Sequence, residues 1–254
     1  MMGFLTDSPP RVIAHRGFHR DHAENTVGAF QAALEVGADL LETDVHLSKD
    51  GHVIVAHDPD LRRVAGINAL VSDFSASELA AIDLGHGEGF PTLQQLLEKF
   101  PDARFNIDLK IPGVVEPFAD VISRLDAHHR VLATSFDETT RQRVVNLLPD
   151  VVSSASQDMV IRARIRSWFA MPLETWTVGP EIVALQIPAT RYGVALVTPS
   201  MLKFAHRKGL EVHVWTINDP RQMRRLWEMG VDGIVTDRSD LAVQVRHELF
   251  VEKR

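Results

Sequence analysis

The segment VIAHRGFHRDHAENTVGAFQAALEVGADLLETDV, residues 12–45, reads as a strand, a helix and a second strand in succession. Val12 to Ala14 and Leu40 to Val45 are short apolar runs of the kind that form buried strands. Between them Val27, Phe30 and Leu34 fall on one helical face, Asn25 and Thr26 stand as capping candidates, and Gly37 sits where a left-handed residue would stop the helix. The same alternation recurs outward from this unit. Phe105 to Leu109, Val131 to Ser135, Val151 to Ala155, Ile182 to Ile187, Glu211 to Ile217 and Gly233 to Thr236 bring the strand candidates to eight. Helices are predicted to begin near Thr92, Glu116, Asp137, Asp158, Pro199, Asp219 and Ser239, where acidic, hydroxyl or Pro residues occupy the first turn. Eight such units in 254 residues match a closed (β/α)8 TIM barrel. The competitor is an open doubly wound sheet, against which stands the lack of any Gly-rich nucleotide-binding fingerprint after the first strand.

One gap interrupts the rhythm. After Val45 the chain carries a short apolar segment, Val53 to Ala56, and then a Gly-containing mixed stretch from Asp58 to Phe90. Residues 58–90 are expected to be an insertion into a single domain spanning 1–254. Following a strand, they would stand over the active face as a lid or pocket wall. Composition bounds the partners. With 27 Lys plus Arg against 34 Asp plus Glu, the formal charge of -7 gives no broad grip on nucleic acid. The absence of Cys removes disulfides and thiolate chemistry, leaving oxygen and imidazole as ligands and favouring a hard metal or none. The first ten residues lack a basic and apolar signal pattern, and no stretch has the length of a transmembrane segment, so the expected location is cytoplasmic. No interface pattern is legible, and oligomeric state stays open.

The informative polar residues lie at the ends of apolar runs, where burial disfavours them unless they are paired, ligated or facing a pocket. His15 and Arg16 leave the first strand together, a proton carrier beside an anion clamp. A buried structural His with a surface Arg is the plainer reading. Glu42 and Asp44 alternate on the second strand and share a face, where their repulsion would be relieved by a divalent cation. Solvated acids on an edge strand are the alternative, which Leu40, Leu41, Val45 and Leu47 make a poor fit. Asn106, Asp108 and Lys110 repeat the pattern, so that Asp108 could be a third ligand beside a cationic Lys110, or simply its ion-pair partner. His57 follows an apolar run, and two mouth histidines suggest an acid and a base. His19, His22, His46, His52 and His213 are weaker candidates. Trp215, at the end of the seventh strand, either packs or touches substrate.

Taken in order, His15-Arg16-Gly17, Glu24-Asn25-Thr26, Glu42-Thr43-Asp44-Val45, Asp50-Gly51, His57-Asp58, Asp108-Leu109-Lys110, Trp215-Thr216-Ile217-Asn218 and Gly233-Ile234-Val235-Thr236-Asp237 resemble the glycerophosphodiester phosphodiesterase family over about residues 11 to 240. The resemblance implies a TIM-barrel hydrolase that uses a divalent metal, Mg2+ or Ca2+, to split glycerophosphodiesters into glycerol 3-phosphate and an alcohol. It implies His15 and His57 as general acid and base, Arg16 and Lys110 as phosphate clamps, and Glu42, Asp44 and Asp108 as metal ligands. The family usually has Glu where this chain has Asp108, which shortens the reach by about 1.5 Å. The expected substrate is a small soluble glycerophosphodiester. Hydrolysis of lysophospholipids is the second reading, its acyl groove drawn from apolar residues of the insertion together with Trp168, Phe169, Met171 and Trp176, unless the same residues form a small satellite core, which is the favoured alternative. A non-catalytic phosphate-binding barrel is the third.

Overall fold

The computed structural model describes residues 4, 5, 9–169, 176–191 and 193–250. Its strands are β1 (Arg11–His15), β2 (Leu40–Leu47), β3 (Val53–Val55), β4 (Phe105–Leu109), β5 (Val131–Thr134), β6 (Val152–Ser154), β7 (Ile182–Pro188), β8 (Thr190–Arg191), β9 (Val194–Ala195), β10 (Glu211–Trp215) and β11 (Gly233–Thr236). Its helices are α1 (Val27–Glu35), α2 (Arg62–Ala65), α3 (Ala76–Ala80), α4 (Leu93–Lys99), α5 (Val115–Arg124), α6 (Glu138–Leu147), α7 (Gln157–Trp168), α8 (Pro199–Arg207), α9 (Pro220–Met229) and α10 (Ser239–Phe250).

Strands β1, β2, β4, β5, β6, β7, β10 and β11 pair in that order, all parallel, and β11 returns to β1 to close the barrel. These are the eight runs read from the sequence. They are apolar nearly throughout because a parallel strand inside a ring of helices has no wet face. The helices start where local chemistry stops anything else. Thr26, Thr92, Asp137, Thr198 and Asp219 each accept a hydrogen bond from a first-turn amide of the helix that follows. Gly37 follows α1 with a φ of 93°, where a side chain would be strained.

Apolar burial divides into four clusters. Two lie between the barrel wall and its helices, around Leu41, Phe105 and Phe118 on one side and Val212, Ile234 and Met201 on the other. A third fills the barrel interior with Ile13, Leu40, Leu132 and Val235, and Phe4 packs against it. The fourth is local. Ile54, Ala56, Leu61, Val71, Leu79 and Phe90 form a small separate core beneath residues 58–90. The apolar residues of that segment are therefore spent on holding it together and do not line an acyl groove.

Candidate active site

Because side chains alternate along a strand, β2 sends Glu42, Asp44 and His46 to one face, and β4 does the same with Asn106 and Asp108. Register then makes them neighbours. His15 lies opposite Glu42, Glu42 opposite Asn106, and Asp44 opposite Asp108. They open into a cavity of about 720 Å³ that is also lined by Arg16, His57, Lys110, Gln186 and Trp215. His15, Arg16, Glu42, Asp44, His57, Asp108, Lys110 and Trp215, the eight principal candidates from the sequence, therefore line one cavity at the carboxyl ends of the strands.

Backbone geometry delivers the first pair. Arg16 has a φ of 56°, a left-handed conformation that costs a non-glycine residue about 1 kcal/mol or more. Gly17 follows at 85°, and a Cβ there would lie 2.7 Å from the backbone carbon of Ala29 in α1. This tight turn aims His15 and Arg16 at the mouth.

Each histidine is held by a carboxylate. His15 Nδ1 lies 2.6 Å from Asp237 Oδ1, and His57 Nδ1 lies 2.7 Å from Asp58 Oδ1. A carboxylate only accepts, so Nδ1 donates in both rings and the neutral imidazoles keep their lone pairs on Nε2. The carboxylates stay ionised. Burial works against this at Asp237, but hydrogen bonds from His15, His19 and Asn218 hold its carboxyl far below the usual range. Burial is likewise outweighed at Asp58, by hydrogen bonds from His57 and Arg63 and by the charge of Arg63.

Arg63 ties the two halves of the site together. Its Nε donates to Asp58 Oδ2 at 2.6 Å, while Nη1 and Nη2 fork onto the two oxygens of Glu24 at 2.7 and 2.6 Å. Glu24 Oε1 in turn accepts from Arg16 Nη1 at 3.0 Å. One guanidinium from the 58–90 segment thus orients the acceptor behind His57 and the acceptor behind Arg16. Such half-exposed pairs contribute at most about 1 kcal/mol to stability, whereas a misplaced reacting group is expensive in rate. Arg63→Gln is therefore expected to lower kcat about tenfold with its melting temperature nearly unchanged. Arg63→Lys should recover only part of the loss, since an ammonium cannot reproduce the fork. Steady-state kinetics beside a thermal melt checks this, and a variant of wild-type kcat would remove the residue from the site.

Charge at the cavity floor is arranged around Lys110. Its Nζ lies 2.7 Å from Asp44 Oδ1 and 2.7 Å from Asp108 Oδ2. Burial opposes the charge on this ammonium, but the two carboxylates raise its pKa well above the ordinary lysine value. Burial, together with the neighbouring charges of Asp44 and Asp108, raises Glu42 well above the usual carboxylate range against the pull of Lys110 and Arg16. Burial also raises Asp108, to about 6, with Lys110 opposing. Asp44 Oδ2, Asp108 Oδ1 and Asn106 Oδ1 are buried without a hydrogen-bond partner.

Unmatched buried oxygens clustered in this way are the donor chemistry of a hard divalent cation. Among the described residues, however, no group of three His, Asp or Glu is arranged to hold a metal ion. The ammonium of Lys110, not three converging carboxylates, balances the charge between Asp44 and Asp108. The ion pair of Asp108 with Lys110, weighed as the plainer reading of that motif, is thus present alongside the shared cavity.

The other candidates separate. His19 reaches Asp237 at 3.4 Å and joins the His15 side of the site. His46, two residues beyond Asp44 on β2, does not line the cavity, and its Nε2 lies 3.0 Å from the His57 carbonyl. His213 pairs with Glu211 at 2.9 Å on β10 and does not line the cavity. His22 meets Glu88, and His52 meets Asp50. Trp215 lines the cavity edge-on to Phe136, with ring centroids 6.1 Å apart. The expected wall from residues 58–90 is not found, because that segment packs on its own small core. The outer wall comes instead from α7 and the β8–β9 hairpin, through Ile161, Ile165, Trp168 and Val194. Trp176 packs on Phe204, and Met171 lies outside the described residues. Reasoning from sequence passed over Arg63, Glu24 as its partner, and Asp237 as the acceptor for His15. Glu24 and Asp237 did stand inside the quoted motifs, and Arg63 lies five residues after Asp58 on a short helix.

Comparison with known proteins addresses the same elements. A "Probable glycerophosphodiester phosphodiesterase 2" of Mycobacterium tuberculosis is 37% identical over 94% of this chain and 91% of its own length. A glycerophosphodiester phosphodiesterase of Bacillus altitudinis is 30% identical over 94% of this chain and 99% of its own. The crystal structure of a glycerophosphodiester phosphodiesterase from Agrobacterium tumefaciens superposes with a TM-score of 0.76 at 26% identity, covering 94% of this chain and 99% of that one. The family model described as "Glycerophosphoryl diester phosphodiesterase family" matches residues 15–241, from the first cavity histidine to the start of the last helix. The barrel, its catalytic-end motifs and their order along the chain make it a member of the glycerophosphoryl diester phosphodiesterase family.

Proposed function

We propose that the protein hydrolyses glycerophosphodiesters to glycerol 3-phosphate and an alcohol, with His15 and His57 sharing the two proton transfers. The observation that carries this is the pair of imidazoles, each with Nδ1 fixed by an ionised carboxylate, facing one cavity with Arg16 and Lys110. In its neutral form either ring can take a proton through Nε2 from an attacking hydroxyl, from water or from the neighbouring glycerol hydroxyl. The other, protonated, gives one to the departing alkoxide. Asp237 and Asp58 stabilise the imidazolium that forms in each case. Arg16 supplies fixed positive charge for the phosphoryl oxygens as they gain charge toward the transition state. Lys110 can turn to the same oxygens when its carboxylate partners are otherwise matched.

Glu42, Asp44 and Asp108 are the residues that would hold a divalent cation, which would have to take the place of the Lys110 ammonium between Asp44 and Asp108, since the three carboxylates do not converge as they stand. Such an ion, Mg2+ or Ca2+ by the hardness of the donors, supplies Lewis-acid stabilisation of the phosphoryl oxygens when bound. The whole chain works as one barrel, with 58–90 as an insertion that acts on the site through Arg63. A second substrate class is favoured by the outer wall. Phe136, Ile161, Ile165, Trp168 and Val194 give the cavity an apolar side that a small polar diester would leave unfilled, whereas an acyl chain of a lysophospholipid would bury itself there.

The test is hydrolysis of glycerophosphocholine and lysophosphatidylcholine side by side, in EDTA and with added magnesium, calcium or manganese. Turnover of the first substrate that is abolished by EDTA and restored by one of the cations is the expected result. No turnover of any diester by folded protein under all conditions would replace the enzyme with a phosphate-binding barrel.

A further inference from the structure

Nine large apolar side chains are left exposed among the described residues, and six of them gather in one place, Leu70, Leu147 and Phe250 lying elsewhere. Phe136, Ile161, Ile165, Trp168 and Val194 line one side of the mouth of the cavity described above, and Phe169 stacks on Trp168 with centroids 6.2 Å apart. Trp168 and Phe169 are 69% and 72% exposed, an unusual outlay for a soluble surface. On α7 the spacing of Ile161, Ile165 and Trp168 sets them on one helical face, turned outward.

Charge distinguishes this rim from an ordinary sticky patch. Helix α7 carries Arg162, Arg164 and Arg166 against a single acid, Asp158, in a chain whose formal charge is -7. The Arg164 guanidinium lies over the Trp168 ring, 5.2 Å from its centroid, and also reaches the Ala195 carbonyl at 3.3 Å. An outward stripe of Ile and Trp, an aromatic tip, and arginines to either side of the stripe, Arg164 on one and Arg162 and Arg166 on the other, is the pattern of a helix that lies in the plane of an anionic lipid surface. The stripe is continuous with the cavity wall, so a hydrocarbon chain leaving such a surface could enter the cavity without crossing water.

We propose that the rim formed by α7, Phe169 and the β8–β9 hairpin docks the enzyme on an anionic lipid surface with the cavity mouth facing the lipid. Docking itself is read from the rim alone; only the reason for its place beside the mouth rests on the phosphodiesterase reading.

The experiment uses the whole protein without turnover. Cosedimentation and tryptophan emission are measured with vesicles of phosphatidylcholine and with vesicles of phosphatidylcholine mixed with phosphatidylglycerol. Binding to the mixed vesicles with a blue shift in emission is expected, and Trp168→Phe should lose most of that shift. Arg162→Glu and Phe169→Asp, neither of which lines the cavity, should each weaken vesicle binding about tenfold. Both should hydrolyse glycerophosphocholine in solution as the wild type does. Absence of vesicle binding, or binding untouched by either substitution, overturns the proposal. So does a wild-type dimer in solution that Phe169→Asp renders monomeric without any vesicle binding, since the rim would then serve a second copy of the chain. Failure on vesicles with intact hydrolysis of the soluble diester leaves the phosphodiesterase reading standing, and the reverse outcome leaves docking standing.

Discussion

His15→Ala and His57→Ala are each expected to lower kcat on glycerophosphocholine by at least about a hundredfold while the protein stays folded. Neither side chain is part of an apolar cluster, and each makes its polar contact through one ring nitrogen to a carboxylate at the mouth. Truncation therefore leaves no cavity in the core. It does leave Asp237 or Asp58 with one donor fewer, yet Asn218 still donates to Asp237 at 2.7 Å and Arg63 to Asp58 at 2.6 Å. A proton-transfer role makes a further demand, that the two losses do not add. If both rings serve one reaction, the double variant should be little worse than the poorer single one. Stopped or steady-state kinetics of the three variants, with circular dichroism for the fold, checks both points. A single variant retaining most of its turnover would remove that residue from the chemistry.

The second large effect divides activity from stability. Asp44→Asn should cost about a hundredfold or more in turnover and abolish calorimetrically detected binding of divalent cation, with unfolding free energy changed by no more than about 2 kcal/mol. Asp44 is 2% exposed and sits among Glu42 and Asp108. Removing its charge relieves repulsion on both neighbours, and Lys110 keeps Asp108 as partner at 2.7 Å. The weakened contacts to the Lys110 ammonium and, at 3.5 Å, to Arg16 Nε are offset by the relief of like-charge crowding. Leu41→Ala, three residues earlier on the same strand, supplies the contrast. Its side chain faces the opposite way, into the fully buried cluster with Phe105, and its removal should cost about 2 to 5 kcal/mol. The surviving folded Leu41→Ala protein should turn over normally. If Asp44→Asn behaves like Leu41→Ala in a denaturant titration, the carboxylate is structural.

How far the sequence reached depends on the range of the forces involved. Strands and caps are set within a few residues, which is why Leu40 to Val45 and the Thr26 cap could be located from periodicity and side-chain chemistry alone. The shared face of Glu42 and Asp44 is a property of one strand and was equally legible. Contacts between distant segments were not. Arg63 meets Glu24 across thirty-nine positions, and no local pattern distinguishes it from Arg62, which lies beside it and bonds Asn68 instead. The position of Lys110 between two acids needed the β2–β4 register, since Asp44 is brought opposite Asp108 only by strand pairing. The 58–90 segment and α7 have similar apolar content, and composition could not say which would bury its residues and which would display them. That was decided by whether a segment closes on itself, as 58–90 does around Leu61 and Leu79, or lies along the rim with its outer face free.

The ring at the top of the barrel is divided into two arcs. His15, Arg16, Glu42, Asp44, His57, Asp108 and Lys110 come from β1, β2, β4 and the turns that follow β1, β3 and β4, whereas the apolar rim is built from α7, the β8–β9 hairpin and Phe136 after β5. The two arcs meet at Phe136, whose ring centroid lies 5.9 Å from Lys110 Nζ, whereas α7 and the hairpin belong to the second arc alone. Drift along α7 would thus reshape the outer side of the cavity while the polar arc keeps its residues.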